Sequence, residues 1–329
     1  MNWRADLVAP DTGMKPLPAI LGPTATGKTP LALAVAERIG GEIVSLDSRQ
    51  AYRGLAIGTA APTPKQAARV SHHGIGFLEP GERYGAGRFA RLARQWVDEI
   101  SGRGRIPILV GGTGLFYQAL VRPIFREPAI DPHLRECLEA WLESHDLEDL
   151  RRWTRSLDPE LAARLSVLDR QRCLRAIELA LLTGRRLTWW QRRGPPEAPP
   201  LPVRAIVLTL PAEDHRERIR SRAAAALDGG WREEVDRLLE SGHGVDSPAF
   251  SSIGYRAVAE WIRGETSRED ALTRIVRDTW AYARRQRTWF RHQLSPETKE
   301  IDARLPVEEA AGVAIKAWQE RERRESAVQ

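Results

Sequence analysis

Gly22-Pro-Thr-Ala-Thr-Gly-Lys-Thr29 matches the pattern G-x-x-x-x-G-K-[ST] in full. The apolar stretch Leu17–Leu21 precedes it. Pro30–Ile39 follows, with Leu31, Leu33, Val35, Ala36 and Ile39 at helical spacing. A strand, this loop and a helix in that order form a phosphate-binding loop. Its glycines let the backbone curl until successive N–H groups face one anion, and the helix N-terminus adds partial positive charge. Lys28 supplies a point charge, and the Thr29 hydroxyl is suited to Mg²⁺. Pro30 falls in the first helical turn, where a missing N–H costs little. Gly22, Pro23, Thr24, Ala25, Thr26, Gly27, Lys28 and Thr29 are therefore candidate ligands of a phosphate or diphosphate group.

Outward from the loop, strands and helices alternate. Glu42–Leu46 reads as a strand ending at Asp47, Gly74–Leu78 as a weaker strand, Phe89–Ile100 as a helix and Ile106–Val110 as a buried strand. Such alternation predicts an α/β fold, a P-loop NTPase-like parallel sheet with helices on both faces. After Leu120 the pattern becomes helical. Asp131-Pro132 opens one helix to about Ser144 as N-cap and first-turn proline, and Arg170–Leu182 forms another. The proline-rich Pro195–Pro202 marks a boundary. Val203–Leu210 resumes the sheet, Glu213–Leu227 is helical, and the chain from Trp231 onward is helical in pattern. The expected organisation is the first part of a core domain over 1–120, a helical insertion over 121–200, and the resumed core with a helical C-terminal region over 201–329.

Composition narrows the class. The 329 residues include only Cys137 and Cys173, which excludes a disulfide framework and a Cys₄ zinc site. No apolar run approaches the roughly 20 residues of a membrane span, and Met1–Pro18 lacks a signal-peptide core, so a cytoplasmic protein is expected. The net charge is +6, almost all of the positive side being arginine. Seven arginines lie between Arg170 and Arg193 with Glu178 as the one acid among them. Six lie between Arg274 and Arg291 with Asp278 alone, and Trp280 and Trp289 are interleaved. Basic runs with aromatics suit phosphate contacts and base stacking. A solvated helix face with core tryptophans is the plainer reading of the same residues.

In a parallel sheet, ligands bind at the carboxyl ends of the strands. Asp47 and Gly111-Gly112-Thr113 lie at two such ends. Asp47 there can be a metal ligand, a general base or an N-cap. Thr113 can approach a ligand or cap the next helix. The absence of a carboxylate after Val110 weighs against an ATPase or kinase, whose second strand ends in a Mg²⁺-binding Asp.

These residues carry a resemblance. The phosphate loop, Asp47-Ser-Arg-Gln-Ala-Tyr-Arg-Gly54 with Ile57-Gly-Thr-Ala-Ala-Pro62, and Val110-Gly-Gly-Thr113 together resemble the tRNA dimethylallyltransferases. So do Asp169-Arg-Gln-Arg-Cys-Leu-Arg-Ala-Ile-Glu178, Ile253-Gly-Tyr-Arg256 and Arg284-Arg-Gln-Arg-Thr-Trp-Phe-Arg291. The motifs run in family order from about Leu21 to Arg291. The resemblance implies transfer of a dimethylallyl group from its diphosphate to the exocyclic amino nitrogen of the adenine 3′ to the anticodon. The partners implied are a tRNA anticodon stem-loop and dimethylallyl diphosphate, with Mg²⁺ as cofactor; a monomer is expected. It implies Asp47 as general base, Thr113 near the bridging oxygen of the donor, and Lys28 with Arg222 on the departing diphosphate. Arg218, one turn from Arg222, is its near look-alike. Implied tRNA contacts are Asp47, Ser48, Arg49 and Gln50, then Thr113 and Arg135. Gln171, Arg172, Cys173, Leu174 and Arg175 follow, with Ser251, Ser252, Ile253, Gly254, Tyr255 and Arg256. The last stretch is Arg284, Arg285, Gln286, Arg287, Thr288, Trp289, Phe290 and Arg291. The competing readings are a P-loop kinase of a small metabolite, a non-catalytic nucleotide-sensing RNA-binding protein, and a prenyltransferase of free adenine nucleotides. The helical insertion and basic tail weigh against the last.

Overall fold

The computed structural model describes residues 15–122, 124–165 and 169–326. Six strands form one sheet: β1 (Leu17–Leu21), β2 (Gly41–Leu46), β3 (His72–His73), β4 (Ile106–Gly111), β5 (Val203–Thr209) and β6 (Lys299–Asp302). Their spatial order is β3-β2-β4-β1-β5-β6, and every pairing is parallel. β1 is central. Ile20 aligns with Val110 of β4 on one side and with Ile206 of β5 on the other. The chain runs first to β2, then fills the gap with β4, and crosses β1 only at β5. The order therefore reverses around β1, which opens a crevice at its carboxyl end. The phosphate loop starts there.

Burial explains which strands were legible. All six residues of β2 are buried, Glu42 and Ser45 among them, and β4 is buried beyond Ile106; a strand covered on both faces reads as a near-continuous apolar run. The weak strand expected over Gly74–Leu78 is displaced. Only His72 and His73 pair with β2, because Gly74 and Gly76 adopt φ of 82° and 60° and turn the chain away. β6 was not expected at all. It is an edge strand with Ile301 as its buried residue, so it carries no apolar run.

The chain divides into two compact units. One is Arg122–Pro199; the other comprises the segments up to Val121 and from Pro200 onward. In the smaller unit, Asp131 caps the helix Pro132–Glu143 by accepting from His133 N–H at 2.8 Å. The helix Arg170–Thr183 packs Cys173 and Ile177 with Leu142 and Leu150. In the larger unit, the helix Lys28–Ile39 buries Leu31–Ala36 on the sheet with Ala310, Ala311 and Ala314. Beyond β5 come the helices Ala212–Ala226, Arg232–Glu240, Tyr255–Ile262 and Arg268–Gln293. Among the described residues no helix is long and apolar enough to cross a membrane.

One buried carboxylate ties this helical region to the segment after β2. Glu234 is 3% exposed. It accepts from Ile57 N–H at 2.7 Å, Gly58 N–H at 3.0 Å and the Tyr255 hydroxyl at 2.7 Å. Burial, then the neighbouring Glu234, holds the Tyr255 phenol well above its usual pKa, so it stays a donor. Glu234→Ala strands three donors, the buried Tyr255 hydroxyl and two half-buried N–H groups. It should lower stability by about 2–4 kcal/mol, read as a fall in the urea midpoint at unchanged m-value.

Candidate active site

The loop between β1 and the helix Lys28–Ile39 has a shape that its own sequence does not enforce. Gly27 takes φ 87° at the helix entry, and Ala25 takes φ 62°. The left-handed region costs a non-glycine residue roughly 1–2 kcal/mol, so its surroundings must hold it. Within the loop, the Thr26 hydroxyl and the Lys28 ammonium both donate to Pro23 C=O, at 2.9 and 2.7 Å. From outside, Thr24 is gripped at three atoms. Its N–H donates to Gln286 Oε1 at 2.8 Å, its C=O lies 2.7 Å from His215 Nε2, and its Oγ1 accepts from Arg222 at 2.9 Å. Arg222 thus holds the loop by a side-chain hydrogen bond. Arg218, its look-alike, donates to Ala303 C=O.

Two cavities meet at this loop. One, of about 970 Å³, is lined by Lys28, Thr29, Asp47, Gln50, Arg218 and Arg222. The other, of about 390 Å³, has an apolar wall of Ile57, Ile219, Trp231 and Ile275 and a polar rim of Asp47, Arg49, Ser251 and Arg285. Thr24, Asp47 and Arg222 line both. Burial pulls the Lys28 ammonium down to about 7; Asp47 opposes this and Arg222 reinforces it. Burial also pulls the Arg222 guanidinium down, again opposed by Asp47.

Asp47 caps the turn after β2. Its Oδ1 accepts from Arg49 N–H at 2.8 Å and, more weakly, from Gln50 N–H at 3.4 Å. Among the described residues no hydrogen bond engages Oδ2. Thr113 does not spend its hydroxyl on the helix it precedes; Oγ1 accepts from Ser48 N–H at 3.4 Å. Tyr282 joins the pair. Burial, then the Asp47 charge, pushes its phenol up to about 12 against a hydrogen bond with Thr113. Arg49 reaches across to Ser251 Oγ at 2.7 Å. The Gln50 amide holds Thr59 and Ala60 carbonyls at 3.3 and 3.2 Å.

The remaining sequence candidates separate by exposure. Arg256, Arg284, Arg285, Thr288, Arg291, Ser251, Gln171 and Arg172 are exposed, and Ile253 and Gly254 are half-buried. Cys173, Ser252, Tyr255, Gln286 and Phe290 are buried, and Leu174 packs partly into the cluster around Cys173. Those side chains face protein. Trp289 lies against Gly114, where a Cβ would come within 2.4 Å of its ring. The glycines after β4 likewise make room for protein: Gly111 abuts the Leu46 backbone, and Gly112 abuts Gln286.

The arginine runs also look different in space. Arg175 pairs with Glu127 at 2.5 Å and Glu178 at 2.8 Å, and Arg135 with Glu127 at 2.9 Å. Arg274 pairs with Glu260 at 2.5 Å. Arg287 donates to His215 Nδ1 at 3.1 Å. Acids distant in sequence therefore balance part of both runs. The exposed Arg284 and Arg291 have no ion pair among the described residues. Sequence reasoning missed His215, Trp231, Glu234 and Tyr282. Only Tyr282 left a signal, since it lies one helical turn before Gln286 on the same face.

The family model described as IPP transferase matches residues 50–293, and one described as isopentenyl transferase matches residues 15–72. A tRNA dimethylallyltransferase of Halorhodospira halophila is 43% identical over 89% of this chain and 95% of its own. That of Thermomicrobium roseum is 41% identical over 87% of each. The crystal structure of a tRNA isopentenylpyrophosphate transferase from Bacillus halodurans superposes with TM-score 0.67. It is 30% identical and covers 95% of this chain and 100% of that one. A eukaryotic dimethylallyltransferase acting on tRNA shares the fold at TM-score 0.73 and 23% identity, over 88% and 74% of the two chains. A sheet with the phosphate loop on its central strand, and sequence matches running the length of the core, have one common source: the chain belongs to the IPP transferase family of tRNA dimethylallyltransferases.

Proposed function

We propose that the chain carries a dimethylallyl group from dimethylallyl diphosphate to the exocyclic amino nitrogen of the adenine 3′ to the anticodon in tRNA. The observation that carries this reading is the sharing of Asp47, Thr24 and Arg222 by an anion-binding cavity and an apolar-walled one. The diphosphate end of the donor suits the first. Its five-carbon chain suits the wall of Ile57, Ile219, Trp231 and Ile275. The adenine enters past Arg49, Ser251 and Arg285, out of its stack, as chemistry on a base requires.

In the transfer, the bond from the donor's first carbon to the bridging oxygen breaks and a carbon–nitrogen bond forms. The amino nitrogen loses a proton. Asp47, with Oδ1 committed to the turn, accepts it at Oδ2 as general base. The leaving diphosphate gathers negative charge, which the loop N–H groups, Lys28 and Arg222 neutralise. Thr113, oriented by Ser48 and Tyr282, donates its hydroxyl toward the bridging oxygen. Among the described residues no cluster of three or more His, Cys, Asp or Glu side chains forms a metal cage. That fits Mg²⁺, which usually keeps waters and substrate phosphate oxygens as ligands; Thr29 would hold it, and when bound it supplies further charge neutralisation. The strand end Gly111-Gly112-Thr113 lacks the carboxylate of a phosphoryl-transfer site, so the kinase reading has no support. The exposed Gln171 and Arg172 of the smaller unit, and Arg256, Arg284, Arg285 and Arg291 of the larger, are the proposed tRNA contacts. We assign the chain to the cytoplasm as a monomer.

Three outcomes follow. Asp47→Ala should reduce prenylated adenosine, measured by mass spectrometry of digested tRNA, by about 10²–10⁴-fold, far beyond what the modest stability loss from the vacated turn cap accounts for; normal turnover removes Asp47 from the mechanism. Because Lys28 titrates at about 7 in the free protein, an arriving diphosphate raises its pKa and draws a proton onto it. Affinity should then fall as pH rises above that value. Calorimetry at about pH 8 in buffers of different ionisation enthalpy should show proton uptake that is missing in Lys28→Arg, whose charge is permanent. Arg284→Glu and Arg291→Glu should each weaken tRNA binding and flatten its log–log salt slope by about 1; an unchanged slope removes that arginine from the interface.

A further inference from the structure

We propose that Gln286 is a positioning residue of the phosphate loop, not a tRNA ligand, and that His215 is its counterpart on the other side of the same peptide. The inference rests on the diphosphate reading of the loop given above. Gln286 lies in the basic stretch that the family resemblance assigns to RNA, yet it is 7% exposed. Both ends of its amide are used. Oε1 accepts from Thr24 N–H at 2.8 Å, and Nε2 donates to Gly112 C=O at 2.8 Å. One side chain of the helix Arg268–Gln293 thus bridges the loop after β1 to the loop after β4.

The fit is close. A Cβ on Gly112 would stand 2.4 Å from Gln286 Nε2, so glycine there is the condition for the bridge. His215 completes the grip. It is fully buried, and its Nδ1 faces the Arg287 guanidinium at 3.1 Å. An arginine can only donate. Nδ1 must therefore accept, which leaves the ring proton on Nε2, where it donates to Thr24 C=O at 2.7 Å. Burial first, then Arg287, keeps the ring from charging. Consecutive residues Gln286 and Arg287 hence control both polar atoms of the Thr24 backbone, one directly and one through His215. Thr24 immediately precedes Ala25, the loop residue in the left-handed region. Fixing Thr24 on both sides orients the peptides that must converge on the diphosphate.

The test uses full-length protein with two probes, inorganic diphosphate and unmodified tRNA. Gln286→Met keeps the side-chain volume and removes both hydrogen bonds. It should weaken diphosphate binding, and raise the donor KM, by tenfold or more. The tRNA Kd should stay within twofold. His215→Phe should act in the same direction, and His215→Gln, which can place an N–H near the Nε2 position, should recover most of the loss. A weakened tRNA Kd with diphosphate binding intact would make Gln286 an RNA ligand and overturn the proposal. Equal loss of both affinities with a lowered melting temperature would reduce it to a structural role and overturn it as well. Failure of the unmutated protein to bind diphosphate would sink the diphosphate reading itself, an outcome distinct from the other two.

Discussion

An anion can be gathered by backbone N–H groups only if they converge, and no ladder of backbone hydrogen bonds makes a loop converge. The sheet fixes where the loop begins, since Leu21 is held between Gly111 and Val207. The helix Lys28–Ile39 fixes where it ends. Between those points the shape depends on side chains that arrive from far along the chain. Arg222, His215 and Gln286 each hold one atom of Thr24. Much of the fold beyond β5 can be understood as what delivers those three groups to one peptide.

The same dependence explains what the sequence could reveal. β1, β2, β4 and β5 are mainly apolar and mostly buried, and the phosphate loop is a local pattern. Those were legible. β6 was not, because an edge strand with one buried residue leaves no periodic trace. Within Glu213-Asp-His-Arg-Glu, His215 reads as part of a solvated face, yet it is the one fully buried residue of the five. Glu234, beside Glu233, likewise reads as surface charge. Their partners, Thr24 and Arg287 for one, Ile57, Gly58 and Tyr255 for the other, are remote in the chain. Asp47, Lys28 and Thr113 were nameable because strand ends of a parallel sheet share one rim, a rule of topology.

Charge was the subtler case. Counting acids along the sequence suggested two nearly unopposed arginine runs. In space, Glu127 lies on Arg135 and Arg175, and Glu260 on Arg274. Linear counting misses acids that folding brings in. Arg185, Arg186 and Arg193 of the first run stay exposed, and of the second Arg284, Arg285 and Arg291 do, on one helix whose other face carries Tyr282 and Gln286 toward the strand-end rim. A single helix thus presents cations outward and site-shaping groups inward, a division that 3.6-residue periodicity permits and composition cannot display.

The grip on Thr24 has a further consequence in time. The hydrogen bond from Thr24 to Gln286 spans 262 residues. A ribosome adding about 5–20 residues per second leaves roughly 10 to 50 s between making the loop and making its latch. Throughout that interval the nascent chain holds the loop residues but not the bridge that shapes them. Closure of the latch is therefore tied to synthesis of the helix Arg268–Gln293, and a prematurely terminated product ending before that helix lacks the bridge between Thr24 and Gly112.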